Sequence, residues 1–184
     1  MKFRIVFLYF LIVSVSPDLF AQESIDISKS INDLKLGSDL EDLKSQLQLI
    51  TGDESIYKNN PYLAEHVKKN LEVGIQEGIY QGHPLRVVNG STAHDMRLMY
   101  LTGKLYKCRW TFNKKDIPNI ESGFKDFLSY FTKRFGPPSE NHFNDTYIWK
   151  GESINLMVNY FEDTIQIELK DNVTDKKTTK LISE

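Results

Sequence analysis

Histidine and cysteine are the residues best suited to bind metals or act as bases, and the chain has few of them. None lies at ligand spacing from another in the sequence: His66, His83, His94, Cys108 and His142. A zinc or iron site needs several such ligands close together, so the sequence predicts no metal site. His94-Asp95 could pair a base with an orienting carboxylate, but neighbouring residues of a strand point to opposite faces. We interpret this pair as part of a surface turn.

Serine, glycine and carboxylate patterns do not indicate a catalytic site either. The chain lacks the Gly-x-Ser-x-Gly elbow that exposes a serine nucleophile. Gly74, Gly78 and Gly82 are not followed by the Lys-Ser or Lys-Thr of a phosphate-binding loop, which favours bends or bulges in strands. Acidic pairs fall on an exposed helix turn and a hairpin tip, where carboxylates are solvated: Glu41-Asp42 and Glu162-Asp163. We therefore expect neither enzymatic activity nor a bound cofactor.

Tyr147 and Trp149 are the first candidates for a binding site, because alternate residues of a strand share one face. If that face is exposed, the two rings form a patch for a protein or a glycan. If it is buried against the phenylalanine-rich segment, they are ordinary packing, which we favour. His83 and His94 are the remaining candidates. An alternative is a periplasmic hydrolase in which His83, His94 and Glu152 converge from distant parts of the sequence.

The N-terminus predicts export. Lys2 and Arg4 precede an apolar run over 5–15, and Ala21 precedes a polar segment, a pattern typical of a secretory signal cleaved after Ala21. The apolar run is about half of the roughly 20 residues that span a bilayer, so no membrane span is expected after cleavage. Cys108 is the only cysteine, which excludes an intramolecular disulfide. These features favour a bacterial periplasm or the exterior.

The composition predicts one domain and gives no reason to expect a nucleic acid as a partner. The chain has 23 basic and 25 acidic residues, and this balance gives no electrostatic reason to bind a polyanion. With residues 1–21 removed as the signal peptide, the chain is long enough for one domain with its own core. We expect that domain over 22–171, with units of about 34–112 and 119–171. The polar segment 172–184 is predicted to be a disordered tail.

Helical periodicity opens the mature chain. Ser38 and Glu41 match a capping box, and leucines recur at helical spacing behind them, which predicts a helix over 38–49. Asn60-Pro61 predicts the start of a second, shorter helix that carries Leu63, Val67 and Leu71 on one face.

The period then changes to that of a strand. Two strands are predicted over 73–81 and 84–88, followed by a hairpin that turns at Thr102-Gly103. Its return strand should send one set of side chains to a buried face: Tyr106, Cys108, Trp110 and Phe112.

The second half of the chain repeats this plan. An apolar stripe rich in phenylalanine predicts a helix that ends at Gly136-Pro137-Pro138. Strands follow over 145–150, 153–161 and 164–170. We therefore predict an α+β fold in which an antiparallel meander sheet carries its helices on one face. The pattern of elements also suggests two tandem α-β-β-β units.

This layout resembles a group of small exported bacterial proteins. The resemblance lies in the glycine-led helix at Leu36-Gly37-Ser38, the strands, and the second helix ending in Arg134-Phe135-Gly136-Pro137-Pro138, and it covers roughly residues 34–170. The group is built of tandem helix-plus-antiparallel-sheet units and includes the β-lactamase inhibitory protein and the outer-membrane assembly lipoprotein SmpA/OmlA. This chain lacks the lipid-bearing cysteine of the lipoproteins and the disulfides of the inhibitory protein. The resemblance implies binding to another protein.

The expected function is that of an exported, non-enzymatic binding or envelope accessory module. Its partner would be another envelope or secreted protein, held by an open face of the sheet or by the loops between the units. A small-ligand carrier, in which a concave sheet encloses an apolar cavity, is a further alternative to the hydrolase.

Overall fold

The computed structural model describes residues 25–142 and 145–183, and the predicted signal peptide at 1–21 lies outside these residues. The helices are α1 (Ile25–Ser28), α2 (Glu54–Tyr57), α3 (Pro61–Glu72), α4 (Ile120–Phe135) and α5 (Asn172–Ser183). The strands are β1 (Ser30–Ile31), β2 (Leu34–Lys35), β3 (Leu47–Leu49), β4 (Ile75–Tyr80), β5 (Val87–Val88), β6 (Ser91–Thr92), β7 (Asp95–Leu101), β8 (Lys104–Asn113), β9 (Glu140–His142), β10 (Thr146–Lys150), β11 (Ile154–Phe161) and β12 (Thr164–Asp171).

One antiparallel sheet of eight strands organises the molecule, in the order β3-β4-β7-β8-β12-β11-β10-β9. The first half of the chain supplies the strands from one edge to the centre, and the second half supplies them from the other edge. The last strand of each half, β8 and β12, pair at the centre, where Trp110 lies opposite Ile167. The predicted α+β class with an antiparallel sheet is confirmed.

Two tight hairpins fix the register of the central strands. Thr102 and Gly103 join β7 to β8 with φ values of 48° and 80°. Glu162 and Asp163 join β11 to β12 with φ values of 48° and 61°. Positive φ at both central residues matches the right-handed twist of the flanking strands, which is why two-residue hairpin turns use it. The turn predicted at Thr102-Gly103 is confirmed.

Helix α4 buries the predicted phenylalanine stripe on one face of the sheet. Phe124, Phe127 and Phe131 are buried, and the ring centroids of Phe127 and Phe112 on β8 are 4.8 Å apart. The Asn119 side chain accepts the amide of Ser122 and caps the start of the helix. The helix ends at Gly136, whose φ of 85° favours glycine. This face of the sheet, with α4 on it, is the main core.

The helix predicted over 38–49 is wrong. That segment forms two short 3₁₀ turns, Leu40–Asp42 and Lys44–Gln46, followed by strand β3. The capping box does not form, because the Ser38 hydroxyl donates to the Lys35 carbonyl and Glu41 pairs with Lys44. The backbone bonds instead to the β7–β8 hairpin: Gly37 N to Leu105 O, Leu40 N to Gly103 O and Leu105 N to Ser38 O.

The shorter helix predicted from Asn60-Pro61 is confirmed as α3. The Asn60 side chain accepts the amide of Leu63, so it caps the helix as the sequence indicates. The strand predicted over 84–88 is present only at β5, which pairs with β6 outside the main sheet, and Pro84–Arg86 form a 3₁₀ turn.

The segment predicted as a disordered tail forms helix α5, so that prediction is also wrong. The Asp171 carboxylate accepts the amides of Val173 and Thr174 and starts the helix. Asp175 then forms ion pairs with Lys107 of β8 and Lys170 of β12. These two lysines are register partners that alternate with core residues, so α5 lies on the face opposite α4. Each face of the sheet therefore carries a helix, whereas the sequence predicted helices on one face.

A β-bulge changes the orientation of one predicted core residue. The register of β7 and β8 shifts beside Met99 and Tyr100. Cys108, Trp110 and Phe112 face α4 as predicted, whereas Tyr106 packs with Ile75 and Leu101 in a small separate cluster.

Candidate functional site

Trp149 is part of the core and does not form a surface patch. It is 2% exposed, its indole nitrogen donates to the Gly136 carbonyl at 2.7 Å, and its ring lies 5.9 Å from that of Phe131. Tyr147 is partly buried, with its ring 5.8 Å from Phe124. Both side chains pack between β10 and α4, which agrees with the packing interpretation.

The histidines singled out in the sequence lie apart from Glu152. His83 and His94 are exposed and flank the small β5–β6 hairpin; the His94 amide donates to Thr111 and its carbonyl accepts from Arg86. Glu152 lies in the β10–β11 turn, beside a cavity of about 410 Å³ whose described lining includes neither histidine. The arrangement that the hydrolase alternative requires is not formed by these residues.

Other reactive groups are also placed for packing. Cys108 is buried, and burial is the main cause that raises the pKa of its thiol well above the usual value, so the nucleophilic thiolate is disfavoured. Within 25–142 and 145–183, no three histidine, cysteine, aspartate or glutamate side chains converge to hold a metal ion. Among these residues no helix is long and apolar enough to cross a membrane.

Hydrogen bonds to Asp26 hold the N-terminal segment against the β10–β11 turn, beside the cavity of about 410 Å³. The Asp26 carboxylate accepts the backbone amides of Glu152, Ser153 and Ile154 at 2.6–3.0 Å, and the Ser153 hydroxyl at 3.0 Å. Burial alone would raise the pKa of Asp26, but these hydrogen bonds outweigh it and lower the pKa. A Cβ on Gly151 would lie 2.2 Å from the Asp26 carboxylate, so this turn leaves room only for glycine. We interpret these hydrogen bonds as structural, and we call them the Asp26 latch.

The sheet face opposite α4 is covered by α3 and α5 only in part. On this face, residues that are paired across neighbouring strands form rows of side chains. The row beyond the helices contains four uncharged residues on adjacent strands: Thr111, Gln166, Asn159 and Thr146. The next row ends at Phe161, which is 62% exposed. A depression of about 220 Å³ is lined by Phe161, Glu162, Thr164, Gln166 and Asn159. We call these five residues the sheet-end surface.

Two pairs of charges close to the sheet-end surface are neutralised within the protein, and Glu162 adds an exposed carboxylate to the surface itself. Arg109 donates twice to Glu168, at 2.7 and 3.1 Å, and Glu168 is 5% exposed. Lys114 pairs with Asp163 at 3.2 Å beside the hairpin. This part of the face therefore offers hydrogen-bonding amides and hydroxyls, one exposed aromatic ring and the carboxylate of Glu162.

The residues of the sheet-end surface are difficult to identify from sequence. Phe161 ends an alternating strand whose other large side chains are buried or partly buried, and its position next to the hairpin is the only sign that it is exposed. Comparisons of the chain with protein-family models, curated proteins and solved structures find no match.

Proposed function

We propose that the protein is an exported, non-enzymatic binding module of the bacterial envelope or exterior, and that it holds a partner protein on the sheet-end surface. The observation that carries the proposal is Phe161, which is 62% exposed at the rim of a depression lined by Asn159 and Gln166. Exposed aromatic rings surrounded by polar groups are a frequent centre of protein interfaces.

The chemistry of this surface favours an uncharged protein surface as the partner. Arg109 and Glu168 neutralise each other below it and Glu162 is the exposed charge that it carries, so a polyanion finds no electrostatic attraction there. Gln166 and Thr164 supply both donors and acceptors, which suit backbone and amide groups of a protein. The expected partner therefore presents an apolar contact for Phe161 and amide groups around it.

Site-directed photo-crosslinking in the native host tests this proposal. A photoreactive phenylalanine analogue at Phe161 should capture one partner, whereas the same analogue at Tyr62 should not. Tyr62 is the matched control, because it is an aromatic residue of α3 that is 87% exposed. The captured protein is then purified, and its dissociation constant is measured against the wild type and two variants.

The variants decide the result. Phe161→Asp should weaken binding by a factor of ten or more, equivalent to about 1.4 kcal/mol, and Tyr62→Asp should leave it unchanged. Equal capture at both positions, or a dissociation constant that Phe161→Asp does not alter, would contradict the proposal.

Export is tested separately by mass spectrometry of the protein recovered outside the cytoplasm. Cleavage after Ala21 predicts a mature chain that begins at Gln22. Recovery only of a chain that begins at Met1 would contradict export by this route.

A further inference from the structure

A second cavity, of about 190 Å³, lies between α3, α5 and the sheet face on which these helices pack. It is distinct from the sheet-end surface. The side chains that matter for its chemistry come from five elements: Asn70, Glu77, Met99, Tyr106, Lys107 and Thr178. Asn70 and Thr178 are 5% and 3% exposed, and the side chain of Lys107 is 16% exposed, so the polar lining is largely removed from solvent.

Asn70 has a hydrogen-bonding group that the described part of the chain does not satisfy. Its amide nitrogen lies 3.1 Å from His66 Nε2, but its buried Oδ1 has no hydrogen-bond partner among these residues. An unpaired buried acceptor costs about 1–3 kcal/mol, so it calls for a specific explanation. A donor brought by a ligand in the cavity would remove this cost.

The donors of the cavity wall already have acceptors. The Thr178 hydroxyl donates to the Asp175 carbonyl at 2.8 Å, Lys107 pairs with the Asp175 carboxylate, and the Tyr106 hydroxyl lies 4.0 Å from Met99 Sδ. Unused capacity is on the acceptor side. Glu77 is a second acceptor besides Asn70 Oδ1. Arg97 donates to its Oε1 at 3.2 Å, which leaves the Oε2 of the carboxylate for a ligand.

We propose that this cavity binds a small primary amine in its ammonium form. The ammonium group donates to Asn70 Oδ1 and to the Glu77 carboxylate, and the alkyl group lies against Met99, Ile75 and Ile182. A turn about the last side-chain bond of Asn70, which is a soft torsion, presents the oxygen to the ligand. Asp175 is already paired with Lys107 and Lys170, so Glu77, which Arg97 contacts at Oε1, is the carboxylate of the cavity that receives the ammonium group. The inference is independent of the partner protein proposed above.

Titration with n-butylammonium chloride, followed by amide chemical shifts in ¹⁵N NMR spectra, tests the proposal. We expect saturable shifts confined to α3, α5 and strands β4, β7 and β8. Two control compounds separate the contributions: 1-butanol has the chain without the charge, and tetramethylammonium has the charge without an N–H donor. Both should bind more weakly by a factor of about ten, as expected for the loss of one charged hydrogen bond. Absence of saturation by butylammonium, or equal binding of the three compounds, would overturn the proposal.

Variants locate the site. Asn70→Leu and Glu77→Gln should each weaken butylammonium binding by about tenfold. Asn155→Leu is the matched control, because Asn155 also has a buried Oδ1 without a hydrogen-bond partner among the described residues but lies outside the cavity lining and the sheet-end surface. Should Asn70→Leu fail to fold, Glu77→Gln carries the test alone. Unchanged affinity in Glu77→Gln, or an equal loss in Asn155→Leu, would overturn the proposal.

Discussion

Trp149 combines apolar packing with one specific hydrogen bond. Its ring fills the space between β10 and α4, and its indole nitrogen satisfies the carbonyl of Gly136, where α4 ends. Without that donor the Gly136 carbonyl would be one of the orphan acceptors that helix ends leave. The residue therefore stabilises the position of the helix end on the sheet.

Replacing Trp149 by phenylalanine should reduce the free energy of unfolding by about 1–3 kcal/mol, because the variant keeps an aromatic ring but loses the donor to Gly136. Urea denaturation measures the change. Phe161→Leu, at an exposed position, should change the stability by less than about 0.5 kcal/mol. A stability of Trp149→Phe equal to that of the wild type would show that the hydrogen bond is dispensable.

Asp26 should make the stability depend on pH. Its pKa is lowered in the folded state, so its contribution is fully present above the unfolded pKa of about 4 and is lost as the pH falls through the folded value. Asp26→Asn should destabilise the protein by about 1–3 kcal/mol at neutral pH. The difference between wild type and variant should then shrink below about pH 4. Urea denaturation at several pH values measures this.

Asp33→Asn is the control for the latch, because Asp33 is an exposed carboxylate in the same N-terminal segment. It should leave the free energy of unfolding almost unchanged. A difference between wild type and Asp26→Asn that stays constant down to about pH 2 would contradict the role assigned to the Asp26 carboxylate.

Among the elements, α5 illustrates how tertiary contacts stabilise a polar helix. Its sequence carries few apolar residues, yet Ile182 packs against the cluster of Ile75, Leu101 and Tyr106. Hydrogen bonds from Lys107 and Lys170 outweigh burial and lower the pKa of Asp175, so this carboxylate is charged where it meets the sheet. The helix is therefore held by one small apolar contact and a group of ion pairs.

Thr178→Pro tests whether α5 is formed. Proline in a helix interior costs about 3 kcal/mol, and the variant should lose that amount or all of the stability that docking of α5 contributes. Lys177→Ala, at an exposed position of the same helix, is the control and should preserve both helicity and stability. Far-UV circular dichroism and urea denaturation measure both effects. A Thr178→Pro variant indistinguishable from the wild type would indicate a tail without helical structure.

At the scale of the whole molecule, the pairing of β8 with β12 unites the two halves. Seven register pairs run from Asn113 opposite Thr164 to Lys107 opposite Lys170. Each half alone would expose the hydrogen-bonding edge of its longest strand and part of the apolar face that α4 covers. The two units suggested by the sequence therefore share one sheet and one core.

We expect the two halves to unfold in a single transition. The chain has two tryptophans, Trp110 in the first half and Trp149 in the second, so Trp149→Phe and Trp110→Phe each leave a reporter of one half. In each variant, the midpoint in urea should be the same for fluorescence and for far-UV circular dichroism. A fluorescence midpoint that differs from the circular dichroism midpoint in either variant would show that the halves unfold separately.

Local patterns in the sequence determined the elements whose residues contact one another over short distances. The alternation along β7, β8, β11 and β12, the stripe and glycine end of α4, and the Asn60 cap of α3 all predicted the observed structure. In these segments the hydrophobic period and the turn chemistry agree with the fold, so local information is sufficient.

Only the tertiary structure decided the segments whose stability comes from distant partners. Residues 38–49 do not form the predicted helix, because their backbone bonds to the β7–β8 hairpin instead. Helix α5 forms because Lys107 and Lys170 from two strands pair with Asp175. The exposure of Phe161 and the enclosure of Asn70 likewise depend on where α3 and α5 lie on the sheet. Such contacts join residues far apart in the chain, and no local period of the sequence encodes them.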